Sequence, residues 1–566
     1  MYYTIIKLLT NKKFWISLVF LHFQLSYSAE WSITLDSINS FGSIRSADLN
    51  NDNVEDIVIG GGKENGRTNK IVAINGIDGS ILWQTYTENE IYTSPRFIDI
   101  NKDQTPDIIM GGRLANLYAL DGKNGHIIWQ FYTDTVPALE KGWYNFYEPQ
   151  FIDDVNDDDI MDILITNGGN PTFGPLDSIR PPASFLIILN TVDGSILFSD
   201  TLPDRKETYM PPLVYDLNNN GKDELILGSG GETIGGALWI STLQDFLIQN
   251  SIEATLVYHD SQKGFIQPPV LTEITNDNII DIIIPAFNGK IIAINGSNLS
   301  TIWHVDLPGY ELYTGLSVGN FNSDSIPDFF VIGSRGTYPS YDGFIQIIID
   351  GATGNHNIID SSGAFFQIGS GIVYDKDSNN IDEIAVSYNY FESGEFRNYI
   401  KEYNLSNQAQ TILTDTLSGI NFGSTPYLKD IDKDSLCELF YLFNEFTEDN
   451  KLHIEKKSTN IKSNMVKWGS YLGNRYNNTY LENREIVNDL KTNNNHSLNI
   501  YPNPFLQYIN NNTLDEIYTI YDLQLRPIIK SIRINKQIDL SLLPNGTYII
   551  YGERCNCSQK IIKMAP

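Results

Sequence analysis

Short apolar stretches recur along this chain in groups of four, each separated from the next by a polar or glycine-bearing turn. In the first clear group, residues 44–47 lead into a polar stretch. Ile57-Val58-Ile59 then ends in Gly60-Gly61-Gly62, residues 70–74 follow, and Ser80-Ile-Leu-Trp-Gln84 closes the group. The second copy uses residues 96–98, 108–110, 116–120 and 126–130, with Trp129 in the place of Trp83. Apolar runs this short, bounded by Gly, Asn and Asp, are strand-forming and too short for helices. The pattern predicts four strands per repeat, A to D, none longer than about seven residues.

The polar stretch between strands A and B has a fixed internal register. In Asp99-Ile-Asn-Lys-Asp-Gln-Thr-Pro-Asp107, oxygen side chains fall at positions 1, 3, 5 and 9, and Thr105 at position 7 can offer its carbonyl. The same register holds Asp48, Asn50, Asp52 and Asp56 in the first repeat and Asp99, Asn101, Asp103 and Asp107 in the second. It continues with Asp154, Asn156, Asp158 and Asp162, then Asp216, Asn218, Asn220 and Glu224, then Glu273, Thr275, Asp277 and Asp281. The last three sets are Asn320, Asn322, Asp324 and Asp328; Asp375, Asp377, Asn379 and Glu383; and Asp430, Asp432, Asp434 and Glu438. A single copy reads as an Asx-rich turn. Plain turns have no reason to keep a carboxylate at position 9 in every repeat. A hard cation such as Ca²⁺ takes six to eight oxygens at about 2.3–2.6 Å, which a tight loop presenting alternate residues supplies. The loop is not an EF-hand: position 12 is apolar or aromatic throughout, and only Gly221 stands at position 6. Loops keeping three Asp and one Asn, at Asp48, Asp99 and Asp154, are expected to bind most tightly, and those at Asp216 and Asn320 most weakly.

The loops start 47 to 62 residues apart. Such a period, with four short strands in each repeat, is the mark of a β-propeller. Eight loops imply an all-β, eight-bladed propeller, with seven blades and one degenerate repeat as the alternative. Glu30-Trp-Ser-Ile-Thr34 reads as a strand D without its own A, B or C, able to complete the ring beside the Trp468 strand. The C–D segments share Ala73-Ile-Asn-Gly-Ile-Asp-Gly-Ser-Ile-Leu-Trp83 and Ala119-Leu-Asp-Gly-Lys-Asn-Gly-His-Ile-Ile-Trp129, with weaker copies at 189–198 and 293–303. Their Trp is expected to pack at a blade edge.

On these residues the loops with their B strands resemble FG-GAP or integrin-type Ca²⁺-binding propeller repeats. The C–D segments are similar to repeats of pyrroloquinoline-quinone-type propellers. The resemblance spans about residues 30–479 and implies structural Ca²⁺, without specifying an activity. Quinone dehydrogenases use a vicinal Cys pair that this chain lacks, so their cofactor is not implied.

Residues 481–497 are polar and read as a linker. Beyond them come Leu498-Asn-Ile-Tyr-Pro-Asn-Pro-Phe505, Ile520-Tyr-Asp-Leu-Gln-Leu-Arg526, Ile538-Asp-Leu-Ser-Leu-Leu-Pro-Asn-Gly-Thr-Tyr548 and Lys560-Ile-Ile-Lys563. In that order they resemble the C-terminal sorting domain of type IX secretion cargo in Bacteroidetes. The resemblance implies a small β-sandwich over 498–566 and the type IX machinery as a partner. The chain departs from the pattern at Leu525, where that family has Gly, and at Cys555 and Cys557. At the other end Lys7, Lys12 and Lys13 precede an apolar run and Ser26-Tyr-Ser28, which predicts a signal peptide over 1–28. The expected domains are then 1–28, a propeller over 29–480, the linker, and the tail. The expected location is secreted or on the outer cell surface, with no membrane span after cleavage.

Charge sharpens this picture. The net formal charge is −30, and 23 carboxylates occupy the loop ligand positions. An acidic chain without a basic stripe argues against nucleic acid. Three Cys exclude a disulfide framework. Seven scattered His show no metal-ligand spacing, and no Walker, nucleophile-elbow or zincin motif occurs. The chemistry therefore points to binding. Two long insertions on the face away from the loops carry Trp143, Tyr144, Phe146 and Tyr147, and Phe173, Asp177 and Arg180. Exposed aromatics beside Arg and Asp suit sugar stacking or a protein hot spot, and a self-packed loop cluster accounts for them equally well. One aromatic also precedes every acidic loop (Phe41, Tyr92, Tyr147, Tyr209, Phe265, Tyr313, Phe366 and Phe422), a recurrence that favours packing between blades. The expected function is a Ca²⁺-stabilised binding or adhesion module for a glycan or protein. A polysaccharide lyase on the same scaffold is the alternative.

Overall fold

The computed structural model describes residues 30–64, 66–131, 145–169, 183–218, 220–362, 367–445, 450–481 and, from 500 to 563, the strands and a few residues between them. Residues 1–28, Trp143, Tyr144, Phe173, Asp177, Arg180, Phe366 and most of 481–497 lie outside them. The chain divides into two compact units, one ending at Tyr480 and the other running from Leu481 to Pro566.

The first unit is an eight-bladed β-propeller of antiparallel sheets. Blade 1 consists of Arg45–Ala47, Asp56–Gly61, Lys70–Ile74 and Ile81–Tyr86, in that spatial order. Strands A of blades 2 to 8 are Arg96–Ile98, Gln150–Ile152, Leu213–Tyr215, Val270–Thr272, Ser317–Gly319, Ile372–Tyr374 and Tyr427–Lys429. Blade 8 takes its fourth strand from the other end of the propeller: Trp31–Asp36 pairs with Lys451–Lys462, Trp31 opposite Lys456. The free strand D read from the sequence therefore closes the ring, and the blades number eight, not seven.

Strands B and C are buried on both faces, and their alternation distributes side chains between neighbouring blades. Ile57 and Ile59 pack with Phe440 and Leu442 of blade 8, while Val58 packs with Ile108 and Met110 of blade 2. The core thus lies between the sheets. A strand D tryptophan locks four of these junctions. Trp31, Trp83, Trp129 and Trp303 donate their indole N–H to carbonyls in the C–D turn of the next blade, Gly76, Gly122, Thr191 and Gly351, at 2.8–3.0 Å.

Two expectations need correction. Strands reach ten residues in blades 6 to 8 and twelve at Lys451–Lys462, because hairpins such as Glu383–Glu392 with Glu395–Asn404 extend beyond the blade body. Trp468 does not share a blade with Trp31. Its strand, Val466–Trp468, pairs with strand A of blade 7 on the channel side, Val373 opposite Trp468. From there residues 469–480 turn within the channel. Arg45 and Arg96 donate to the carbonyls of Tyr471 and Tyr476, Leu428 donates to that of Gly469, and Tyr480 donates to that of Leu271. Together with Val466–Trp468 it touches blades 1, 2, 5, 7 and 8, and so plugs the channel that the A strands line.

The second unit forms two antiparallel sheets, one of Ile500–Tyr501, Tyr508–Asn511 and Gln537–Asp539, the other of Glu516–Tyr521, Pro527–Ile534, Gly546–Gly552 and Cys557–Lys563. Among the described residues no helix is long and apolar enough to cross a membrane.

Candidate functional site

The acidic loops share one hydrogen-bond scheme. In blade 1 the Asp48 carboxylate accepts the N–H groups of Asp52 and Asn53, Asn50 accepts that of Asp52, and Asp52 accepts that of Val54. These bonds curl the loop so that positions 1, 3 and 5 converge. The curl requires a positive φ at Asn51 and Asn53, a conformation Asn tolerates better than most residues. Blades 2 and 3 repeat it at Asp99, Asn101 and Asp103 and at Asp154, Asn156 and Asp158. Blade 6 departs from it: Asn320 cannot offer a second carboxylate oxygen, and its amide donates to the carbonyl of Asp324 instead.

Position 9 has a second role that the spacing did not reveal. Asp56 is fully buried and accepts the N–H of Leu49 at 3.0 Å and of Gly76 at 3.1 Å, so it clasps the A–B loop to the C–D turn. Asp107 does the same for Ile100 and Gly122, Asp281 for Ile274 and Gly296, and Asp328 for Phe321 and Gly351. Burial, reinforced by the neighbouring loop carboxylates and opposed by these N–H groups, pushes Asp56 and Asp162 up to about 6 and Asp328 and Glu383 up to about 7. A carboxylate held in so acidic a setting is relieved by a cation.

The donor set fits a hard divalent ion. Asp158 Oδ2 is buried without a hydrogen-bond partner, and all-oxygen donors without His or Cys are the chemistry Ca²⁺ favours. Three carboxylates bring ligand atoms within 4.8 Å of one another at Asp375, Asp377 and Glu383, and again at Asp430, Asp432 and Asp434.

The opposite face, formed by the D–A and B–C connections, carries the recurring aromatics. Phe41 meets Phe422 across blades 1 and 8 with ring centroids 5.2 Å apart, Tyr92 meets Tyr147 at 6.1 Å, and Tyr147 meets Tyr209 at 5.8 Å. The rings do pack between blades, as their recurrence suggested, yet these tyrosines stay only half-buried. Phe265 is instead fully buried. Of the insertion residues that can be described, Tyr147 belongs to this face. Phe146 does not, because it is buried edge-on against Phe131 at 5.0 Å.

Acidic and basic groups that the sequence pattern had not singled out lie among the rings. Arg113 pairs with the buried Glu90 at 2.5 Å, and its guanidinium carbon lies 5.7 Å from the centre of the Tyr92 ring. Lys263 pairs with Glu311 at 3.1 Å, and Glu311 also accepts the Tyr341 hydroxyl at 2.6 Å. Glu207 and Glu232 lie beside Tyr209. Burial first, and Glu232 second, push Glu207 up to about 7. Glu90, Arg113, Glu207, Glu232 and Lys263 sit on irregular connections, where no periodicity marks them, and Glu311 ends the two-residue strand Tyr310–Glu311.

No family model matches the chain, and no curated protein matches it. Among solved structures it is similar to the quinohemoprotein alcohol dehydrogenase ADHIIG from Pseudomonas putida HK5, at 9% identity and a TM-score of 0.48, covering 76% of this chain and 75% of that one. It is similar to a europium-containing methanol dehydrogenase at 9% identity and 0.44, covering 75% and 92%. It is also similar to BamB from Moraxella catarrhalis at 15% identity and 0.36, covering 66% and 84%. These likenesses concern the propeller scaffold alone.

Proposed function

We propose that this chain is an exported, Ca²⁺-stabilised propeller that acts as a binding or adhesion module, taking a glycan ligand on the face opposite its acidic loops. The observation that carries this reading is the set of half-buried tyrosines Tyr92, Tyr147, Tyr209 and Tyr313 in blades 2, 3, 4 and 6, interleaved with buried carboxylates. Aromatic faces stack on the apolar side of a sugar ring, while carboxylates and phenols accept and donate to its hydroxyls. The acidic loops are at the other end of each blade, so Ca²⁺ serves stability there and leaves this face to recognition.

The same groups weigh against the lyase alternative. Removing a proton beside a uronate with a tyrosine as base needs a free cation and a phenol of lowered pKa. Here Arg113 and Lys263 are already paired with Glu90 and Glu311. Burial and acidic neighbours raise Tyr92 and Tyr209 above the usual phenol range. Export rests on the N-terminal apolar run and on the tail, whose segments resemble a type IX sorting domain.

The test is glycan-array binding by the purified propeller with a parallel lyase assay on polyuronides. Binding without turnover, lost in Tyr147→Ala, is the expected result. Turnover, or no glycan binding at all, overturns the reading. In the source cell, deleting 498–566 should hold the protein in the periplasm, and surface display by the truncated chain would remove the sorting assignment.

A further inference from the structure

Thr255 stands where the repeat elsewhere places its locking tryptophan. In blades 1, 2 and 5 that tryptophan is fixed by register: Trp83 pairs with Ala73, Trp129 with Ala119 and Trp303 with Ala293. Each alanine pairs in turn with the strand B residue two places beyond the ninth loop position, Val58, Ile109 and Ile283. Blade 4 keeps this register from Ile226 through Ile240 to Thr255, but Thr255 ends in a hydroxyl and is exposed. The turn it faces is intact. Gly296 of blade 5 donates its N–H to Asp281 as Gly122 does to Asp107, yet no indole from blade 4 reaches its carbonyl.

A cavity of about 320 Å³ occupies this junction, bounded by Leu217, Ile240, Thr255, Gly296 and Leu299. That is the small end of the roughly 300–1,000 Å³ range of small-ligand sites, room for one ring system and not for an oligosaccharide. Its charged lining residues, Glu224, Asp245 and Glu253, are all acidic, and the last two are exposed at its rim. The turn also differs in one residue. Gly125 lies against Trp83 and Gly354 against Trp303, whereas blade 5 has Leu299 there, held at φ +60°. A bulky residue in that region is an outlier. Leu299 bars a ring from lying as deep as Trp83 does, and it offers the ring an apolar wall instead.

We propose that the slot between blades 4 and 5 binds an indole bearing a positive charge, supplied from outside the chain. Its N–H meets the Gly296 carbonyl, its ring lies against Leu217 and Leu299, and its charge faces Asp245 and Glu253. Four other junctions of this molecule already seat an indole N–H on a carbonyl of the C–D turn. The acidic rim selects a cationic indole over an anionic one. A tryptophan flanked by lysines in a polypeptide and a free indole amine share this chemistry. The site is at the acidic-loop end of the blades, so it does not rest on the glycan reading.

The experiment is calorimetric titration of the Ca²⁺-loaded full chain with tryptamine, phenethylamine, indole-3-acetate and a capped Lys-Trp-Lys peptide. Tryptamine should bind about fivefold more tightly than phenethylamine, which lacks the N–H, and more tightly than the anionic indole-3-acetate. The double variant Thr255→Trp, Leu299→Gly rebuilds the tryptophan–glycine pair of the other junctions. It should raise the melting midpoint and abolish tryptamine binding. Glu253→Gln, at an exposed position, should narrow the preference over indole-3-acetate at an unchanged midpoint, a readout that stands even where the double variant does not fold. Tighter binding of the peptide than of tryptamine assigns the indole to a polypeptide, and the reverse assigns it to a free amine. Equal affinity for tryptamine and phenethylamine, undiminished binding by the folded double variant, or no binding by any probe overturns the proposal. A preference for indole-3-acetate overturns the cationic assignment.

Discussion

The guanidinium of Arg45 lies 4.2 Å from the centre of the Tyr476 ring, joining the first blade to a segment that follows the last. Arg45 is fully buried, and it also pairs with Glu148 of blade 3 at 2.6 Å and donates to the carbonyl of Pro95 at 3.1 Å. Arg96 donates to the Tyr476 carbonyl at 2.9 Å, and the Tyr427 hydroxyl meets the Tyr476 hydroxyl at 3.0 Å. Tyr476 therefore gathers blades 1, 2 and 8 about the channel. The ring is closed twice, by the Trp31 strand at its rim and by this plug at its axis.

Tyr476→Ala should lower unfolding stability by about 2–4 kcal/mol, from lost packing and a lost cation–π contact. Tyr476→Phe should cost about 1 kcal/mol, the hydroxyl contact alone. Urea denaturation followed by tryptophan fluorescence checks both. Equal stability in all three proteins would mean that the plug is an ornament of the channel and not a closure.

The blade junctions yield a paired test. Gly125 has φ +73° and lies against Trp83, so a Cβ there would come within 2.5 Å of the indole. Gly309 has φ +84° with nothing within 4 Å. Ala at either position suffers the left-handed backbone penalty of about 1–2 kcal/mol. Only Gly125→Ala must also displace Trp83 from the Gly122 carbonyl, to which its N–H donates at 2.8 Å. Gly125→Ala should lower stability by roughly twice as much as Gly309→Ala, and equal losses would separate the tryptophan from the junction.

The blade was legible because its signals are local. Asp99 to Asp107 fixes the loop by register, Trp83 and Trp129 mark strand D, and the unaccompanied Trp31 strand announces ring closure. The plug was not legible. Its Asn- and Tyr-rich sequence has no period, and its partners are hundreds of residues away. One trace of it did exist: Arg45 and Arg96 occupy the same register, three residues before Asp48 and Asp99, in strands otherwise poor in charge. A cation repeated at the channel wall needs a partner inside the channel. Glu207 was equally hidden, since its environment is made by Tyr147 and Gly231 from other connections.

Removing 498–566 should leave the propeller's melting midpoint unchanged. The closing strand Trp31–Asp36 and the plug up to Tyr480 both belong to the first unit, and the division falls at Leu481. Stopping the chain at Lys462 should lower the midpoint instead, because it also takes away the Val466–Trp468 strand and Tyr476. Differential scanning calorimetry of the two truncations separates the contributions. A destabilised 498–566 deletion would show that the tail supports the propeller.

Chelation should lower the melting midpoint without loss of strand content at low temperature, since a site bound only in the folded state stabilises by about 2.7 kcal/mol when ligand exceeds Kd a hundredfold. The order of affinities expected from geometry differs from the one expected from the sequence. Composition favours the loops at Asp48, Asp99 and Asp154. Geometry favours Asp375 with Asp377 and Glu383, and Asp430 with Asp432 and Asp434, where three carboxylates converge within 4.8 Å. Position 3 makes the difference: Asp377 and Asp432 carry a charge where the first four loops have Asn. Mutual repulsion among three converged carboxylates is relieved only by the ion, so these two sites gain most from binding it. The double variant Asp377→Asn, Asp432→Asn should abolish the tightest class in a calcium titration, whereas Asp52→Asn, in blade 1, should leave that class in place. If Asp52→Asn alone removed it, the three-Asp, one-Asn composition of the early loops would outrank convergence, and blades 7 and 8 would lose their place as the strongest sites.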